Sequence, residues 1–210
     1  MTDESPQSEE LRRLREGDAS AAAVFSEYRE RLLRMVQLRM DRRLLGRVDC
    51  EDILQETYLE VSRRLDSFLE RPAVPFFVWI RQITMQILID THRGQIGTQK
   101  RDANREISLY QGTIARASSL SLAAHLVGNL TSPSQAALRD EIIDEMRQAL
   151  DQMDTIDREV LVLRHLEELS NNEVAEILNL DKSAASKRYV RALTRLKEHL
   201  TRIYEAGKGN

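Results

Sequence analysis

The chain has few of the residues that staple, kink or stiffen a backbone. Its 210 residues include one cysteine, four prolines, eight glycines and one tryptophan, and aromatics make up 5%. A lone Cys50 excludes an internal disulfide framework and leaves no CxxC pair for zinc. Scarce glycine and proline beside abundant Leu, Arg, Glu and Ala argue against a sheet-rich fold and for an all-α one. No apolar run approaches the ~20 residues of a membrane span. Met1 to Glu10 is acidic and polar, unlike a signal peptide. These absences lead to the expectation of a cytoplasmic protein with no membrane insertion.

Catalytic constellations are missing as well. His92, His125, His165 and His199 are far apart and lack metal-ligand spacing. There is no P-loop and no glycine-rich dinucleotide fingerprint. The expectation is a protein that is not an enzyme, with no cofactor, no metal and no catalytic residues.

What is present is charge sorted by face. The chain as a whole carries a net −3. Between Asp181 and Arg202, however, seven Lys/Arg stand against two acids. On a helical wheel Ala185, Tyr189, Ala192, Leu193, Leu196 and Leu200 share one sector. Lys187, Arg188, Arg191 and Arg195 occupy the opposite one, around Ala184. Upstream, Ser170-Asn171-Asn172-Glu173 is a capping box ahead of Val174, Ala175, Ile177 and Leu178, so a short helix should run from near Ser170 to near Asn179. Leu180 would pack in the turn, Asp181 would cap the next helix, and Ile156 to Leu166 would support the pair. That is a helix-turn-helix with a basic second helix, which favours DNA over an ordinary helical hairpin with a solvated charged face.

The first half contains a helix of the opposite sign. Asp49 to Glu60 holds five acids and no base, with Asp49, Asp52, Glu56 and Glu60 on one stripe and Cys50, Leu54, Tyr58, Val61 and Leu65 nearly opposite. Like charges so close disfavour one another. Either a basic partner surface meets the stripe or it is a solvated face. A loop is expected over Asp66 to Pro75, then a helix containing Phe76, Phe77, Trp79, Ile80, Ile83 and Ile87 with Arg81, Gln82, Gln86, His92 and Arg93. Aromatic and basic residues together suit single-stranded nucleic acid, although most of these aromatics should be core.

The expected organisation is two small helical domains joined by a flexible linker. It comprises an N-terminal tail over 1–17, a first domain over 18–105, a linker over 106–135 enriched in Ser, Gly and Thr, a second domain over 136–204 and a tail over 205–210.

Gln55 to Val61, Leu65-Asp66-Ser67-Phe68 and Trp79-Ile80-Arg81-Gln82-Ile83, with Asp90 and Arg93 in register, resemble region 2 of the sigma-70 family. Arg158-Glu159-Val160-Leu161, Leu169 to Leu180 and Arg191 to Lys197 resemble region 4. With no long domain between them, the chain is similar to the extracytoplasmic-function class. The resemblance implies an initiation factor for core RNA polymerase, meeting the β′ clamp helices and the β flap. It implies docking through Asp49, Asp52, Gln55 and Glu56. It implies capture of the melted −10 strand by Ser67, Phe68, Trp79, Arg81, Gln82, Gln86 and Arg93, and reading of the double-stranded −35 element by Ser183, Ala184, Lys187, Arg188, Arg191 and Arg195. Within the last set, Arg188 is expected to reach a base and Arg195 a phosphate. An anti-sigma factor is a further candidate partner. The alternatives are a helix-turn-helix regulator acting without polymerase and a helical protein-interaction scaffold.

Overall fold

The structure, a computed structural model, describes residues 6–17, 20–41, 44, 46–96, 115, 117–127 and 136–208. No β-strand occurs among the described residues. The chain divides into two compact units, Met1–Gln111 and Gly112–Asn210.

The first unit contains α1 (Pro6–Glu16), α2 (Ala21–Arg39), α3 (Cys50–Glu70) and α4 (Phe76–Ile96). Short polar side chains start two of them. Ser20 accepts a hydrogen bond from the Ala23 N–H, and Asp49 accepts one from the Glu51 N–H, each satisfying a donor with no intrahelical partner. Helices α2, α3 and α4 pack on one another. Leu32, Met35, Ile53, Val61, Phe76, Ile80 and Leu88 are almost wholly buried among them. An aromatic cluster closes one end, with Phe68 and Trp79 stacked at 4.2 Å between ring centres and Tyr28 beside Phe76 and Phe77.

Two expectations fail in this unit. The segment 1–17, expected as a tail, contains α1. Leu14 is buried, Arg15 donates to the Leu69 carbonyl at 2.7 Å, and Arg13 lies 3.7 Å from Glu27. Its polar composition hides this because the helix buries few residues. The loop expected from Asp66 begins only after Glu70, since Phe68 is buried and extends the apolar stripe of α3 by a further turn.

The second unit contains α5 (117–127), α6 (Ala136–Asp151), α7 (Thr155–His165), α8 (Asn171–Leu178) and α9 (Lys182–Lys208). Part of the expected linker is therefore helix. Leu122, Ala123 and Val127 have no exposed surface, so this helix contributes to a core. The remainder of 106–135 lies outside the described residues, apart from 115. The expected C-terminal tail begins inside α9, which continues to Lys208.

Local chemistry sets the α7–α9 geometry. Asp154 caps α7, accepting from the N–H groups of Ile156 and Asp157. Ser170 and Glu173 form the reciprocal capping box of α8. Asn179 ends that helix in the left-handed region at φ 51°, a conformation that Asn tolerates better than most residues. Asp181 Oδ1 then accepts from the Ala184 N–H at 2.7 Å and starts α9. The amide of Asn171 bridges the two helices, donating to the Lys182 carbonyl and accepting from the Ser186 hydroxyl.

Candidate partner and nucleic-acid interfaces

On α3, Asp49, Asp52, Gln55 and Glu56 are all exposed and turn away from buried Ile53, Leu54, Thr57 and Val61. They do not all carry open charge. One Asp49 oxygen is occupied by the helix cap. Glu60 is bonded to Arg64 and Arg63 on its own helix, which holds its carboxyl below the usual range. Asp52 and Glu56 are the centre of the exposed acidic stripe. Beside it, α2 and α3 form an open groove of about 320 Å³ lined by Phe25, Arg29, Glu51, Leu54, Gln55, Tyr58 and Leu59. Leu59 is 55% exposed. Sequence reading overlooked it because it falls between the two stripes.

The residues expected to hold single-stranded DNA divide between surface and interior. Ser67, Gln82 and Gln86 are exposed, and Trp79 and Arg93 are half-buried. Phe68 and Arg81 are buried, Phe68 against the Trp79 ring. Neither presents its side chain on the surface. Gln86 donates to Asp90 at 2.9 Å, and Arg93 approaches the same carboxylate at 3.2 Å. A groove of about 400 Å³ runs between α3 and α4 past Glu56, Glu60, Arg63, Arg64, Gln86 and Asp90.

Helix α9 has Ala185, Ala192 and Leu196 buried, and Ser183, Lys187, Val190, Arg191 and Thr194 exposed on the opposite side. Ala184 is half-buried. Arg188 lies on the flank rather than at the centre of the outward face. Its guanidinium donates to Asp157 at 2.7 Å and to Asp154 at 3.2 Å. Asp157 is 1% exposed, and Arg195 is 3.7 Å from its other oxygen. The two cap N–H groups, followed by Arg188, lower the Asp154 pKa, and the bond to Asp157 raises that of Arg188. The basic sector is therefore two sets: Lys187 and Arg191 point outward, whereas Arg188 fastens α9 to the start of α7. A wheel could not show this, because the acids responsible lie some thirty residues upstream, on another helix.

A second fastening lies on the other flank. The Tyr189 hydroxyl is 3.3 Å from His165 Nε2, and the Arg164 guanidinium lies over the Tyr189 ring. Burial lowers the His165 pKa, with smaller contributions from His125 and Arg164.

Among the described residues there is no cluster of three or more His, Cys, Asp or Glu placed to hold a metal, and no helix is long and apolar enough to cross a membrane.

The family described as Sigma-70, region 4 matches residues 143–196, from α6 into α9. The chain is also similar to the ECF RNA polymerase sigma factor SigW of Bacillus subtilis, 25% identical over 193 residues, 90% of this chain and 94% of that protein. It is 24% identical to the RNA polymerase sigma-H factor of Pseudomonas aeruginosa over 147 residues, 69% of each chain. The probable RNA polymerase sigma factor RfaY of Xanthomonas campestris is 30% identical over 158 residues, 74% of this chain but only 35% of that protein.

Proposed function

Because the chain belongs to the sigma-70 family, in its extracytoplasmic-function class, we propose that it joins core RNA polymerase and directs it to promoters through two separate DNA contacts. Helix α9 lies in the major groove of the −35 element. Lys187 and Arg191 supply charge and hydrogen-bond donors there, with Ser183 and Ala184 small enough for the backbone to come close. The surface bearing Ser67, Trp79, Gln82, Gln86 and Arg93 holds the melted −10 strand, with a base packing on the half-buried Trp79 ring and Arg93 following a phosphate. Asp52 and Glu56, with Asp49 and Gln55, meet a basic helix of polymerase.

The division of labour follows from physics. Groove contacts choose the site, capture of unpaired bases stabilises melting, and the acidic stripe delivers the enzyme that DNA-facing charge alone would not attract.

The observation that carries this reading is the outward face of α9, where Lys187 and Arg191 stand without an acid until Glu198, on a helix capped by Asp181 and fastened by the Arg188–Asp157 bond. Arg188 acts as a positioning residue in this scheme, and base reading falls to its outward neighbours.

The test is transcription in vitro from a promoter library by core polymerase with and without the chain, with start sites mapped. The expected result is new transcripts sharing −35 and −10 sequences only when both are present. Specific DNA retention by the chain without polymerase, and no new starts with it, would identify a helix-turn-helix regulator instead. Polymerase binding without sequence-specific starts would identify a scaffold.

A further inference from the structure

We propose that Val190 makes the −35 site selective for a thymine, by packing its methyl groups on the C5-methyl of that base. The inference rests on α9 lying in the major groove, and deepens that reading by naming the chemical group recognised.

Val190 is 60% exposed, more than any other large hydrophobic side chain among the described residues. It sits on the outward face near Lys187 and Thr194, three positions before and four after it, where side chains on one helix face meet. An isolated apolar group of this kind is too small for a protein-docking patch, which needs a contiguous apolar surface. The two hydroxyls beside it spend their protons on the protein itself. The Thr194 hydroxyl donates to the Val190 carbonyl at 3.0 Å, and the Ser186 hydroxyl donates to Asn171 at 3.2 Å. What remains outward at this level is the valine itself between two cations.

In a major groove walled by phosphates and polar base edges, the one apolar group in unmodified DNA is the thymine methyl. A β-branched side chain on a helix is held in essentially one rotamer, so its methyls are already placed and little entropy is lost on contact. Lys187 and Arg191 bring the surface to the backbone or to guanine edges, and Val190 distinguishes thymine from cytosine at the pair between them.

The experiment uses holoenzyme reconstituted from core polymerase and the full chain. Duplexes are selected from a randomised −35 library, and each thymine of the selected site is then replaced in turn by deoxyuridine, which keeps every hydrogen-bonding group and loses only the methyl. One replacement should weaken binding by the wild-type chain roughly fourfold, the worth of about one buried methyl. Val190→Ala should bind the thymine and deoxyuridine duplexes equally. Val190→Thr, nearly the same shape, should retain part of the difference. Lys187→Ala should weaken both duplexes and leave their ratio unchanged. If no thymine is sensitive, or if Val190→Ala keeps the wild-type ratio, the assignment is overturned while the sigma-factor reading stands. A holoenzyme that selects no −35 sequence at all would overturn both.

Discussion

At the scale of single residues, charge identity was legible and charge commitment was not. Arg188, Lys187 and Arg191 look equivalent in a one-dimensional pattern, yet Arg188 is 26% exposed and bonded to an almost wholly buried carboxylate. Removing one partner of a buried charge leaves the other without compensation. Arg188→Ala should therefore lower the thermal midpoint of the 112–210 unit clearly more than Arg191→Ala, whereas Arg191→Ala should cost more DNA affinity per unit of lost stability. Unfolding scans and binding titrations of the two variants check this. If Arg188→Ala leaves stability untouched and alters preference at one −35 position, Arg188 reads a base after all.

His165 gives a second residue-scale prediction. Burial depresses its pKa from 6.5, so the folded state binds fewer protons than the unfolded one and acid favours unfolding. Stability is fully present above the unfolded pKa and falls as pH drops through the folded one. The 112–210 unit should lose stability as pH falls below 6.5, and His165→Gln should flatten that part of the profile.

At the scale of elements, the signals encoded locally were the readable ones. The capping box at Ser170 and Glu173 is a four-residue pattern, and the structure forms it with both hydrogen bonds. Ser170→Ala should destabilise this unit by about 1 kcal/mol, measured by denaturant unfolding. Asn179→Val, at a positive φ, should cost roughly 1–2 kcal/mol. The end of α3 was misread for the opposite reason. Its final turn forms because Phe68 stacks on Trp79, eleven residues later and on another helix, a contact with no local signature. On the same helix, Asp52→Arg with Glu56→Arg should leave the circular dichroism of the chain unchanged, because both positions are exposed. It should weaken association with core polymerase about tenfold or more. Unchanged co-purification would remove the acidic stripe from the docking surface.

At the scale of the whole molecule, the question is where each unit begins. The sequence placed the second domain at Ala136, whereas contacts place the boundary at Gly112 and put Leu122, Ala123 and Val127 in a core. Burying a leucine completely is worth about 1.5–3 kcal/mol. A fragment spanning 112–210 should therefore unfold at higher denaturant than one spanning 136–210, and a 1–111 fragment should unfold cooperatively by itself. Equal stability of the two C-terminal fragments would show that α5 contributes no core.

Sequence alone determined the all-α character, the helix-turn-helix, its caps and the opposite signs of α3 and α9. Each of these depends on composition or on residues within one or two turns of one another, and helical periodicity projects such residues onto faces without knowledge of the fold. Only the tertiary structure decided that 6–16 is a docked helix, that Phe68 and Arg81 are interior, and that Arg188 belongs to Asp157 and Asp154 while Val190 faces outward. Those facts depend on which helix lies against which, and a pairing between residues thirty positions apart leaves no periodic trace along the chain.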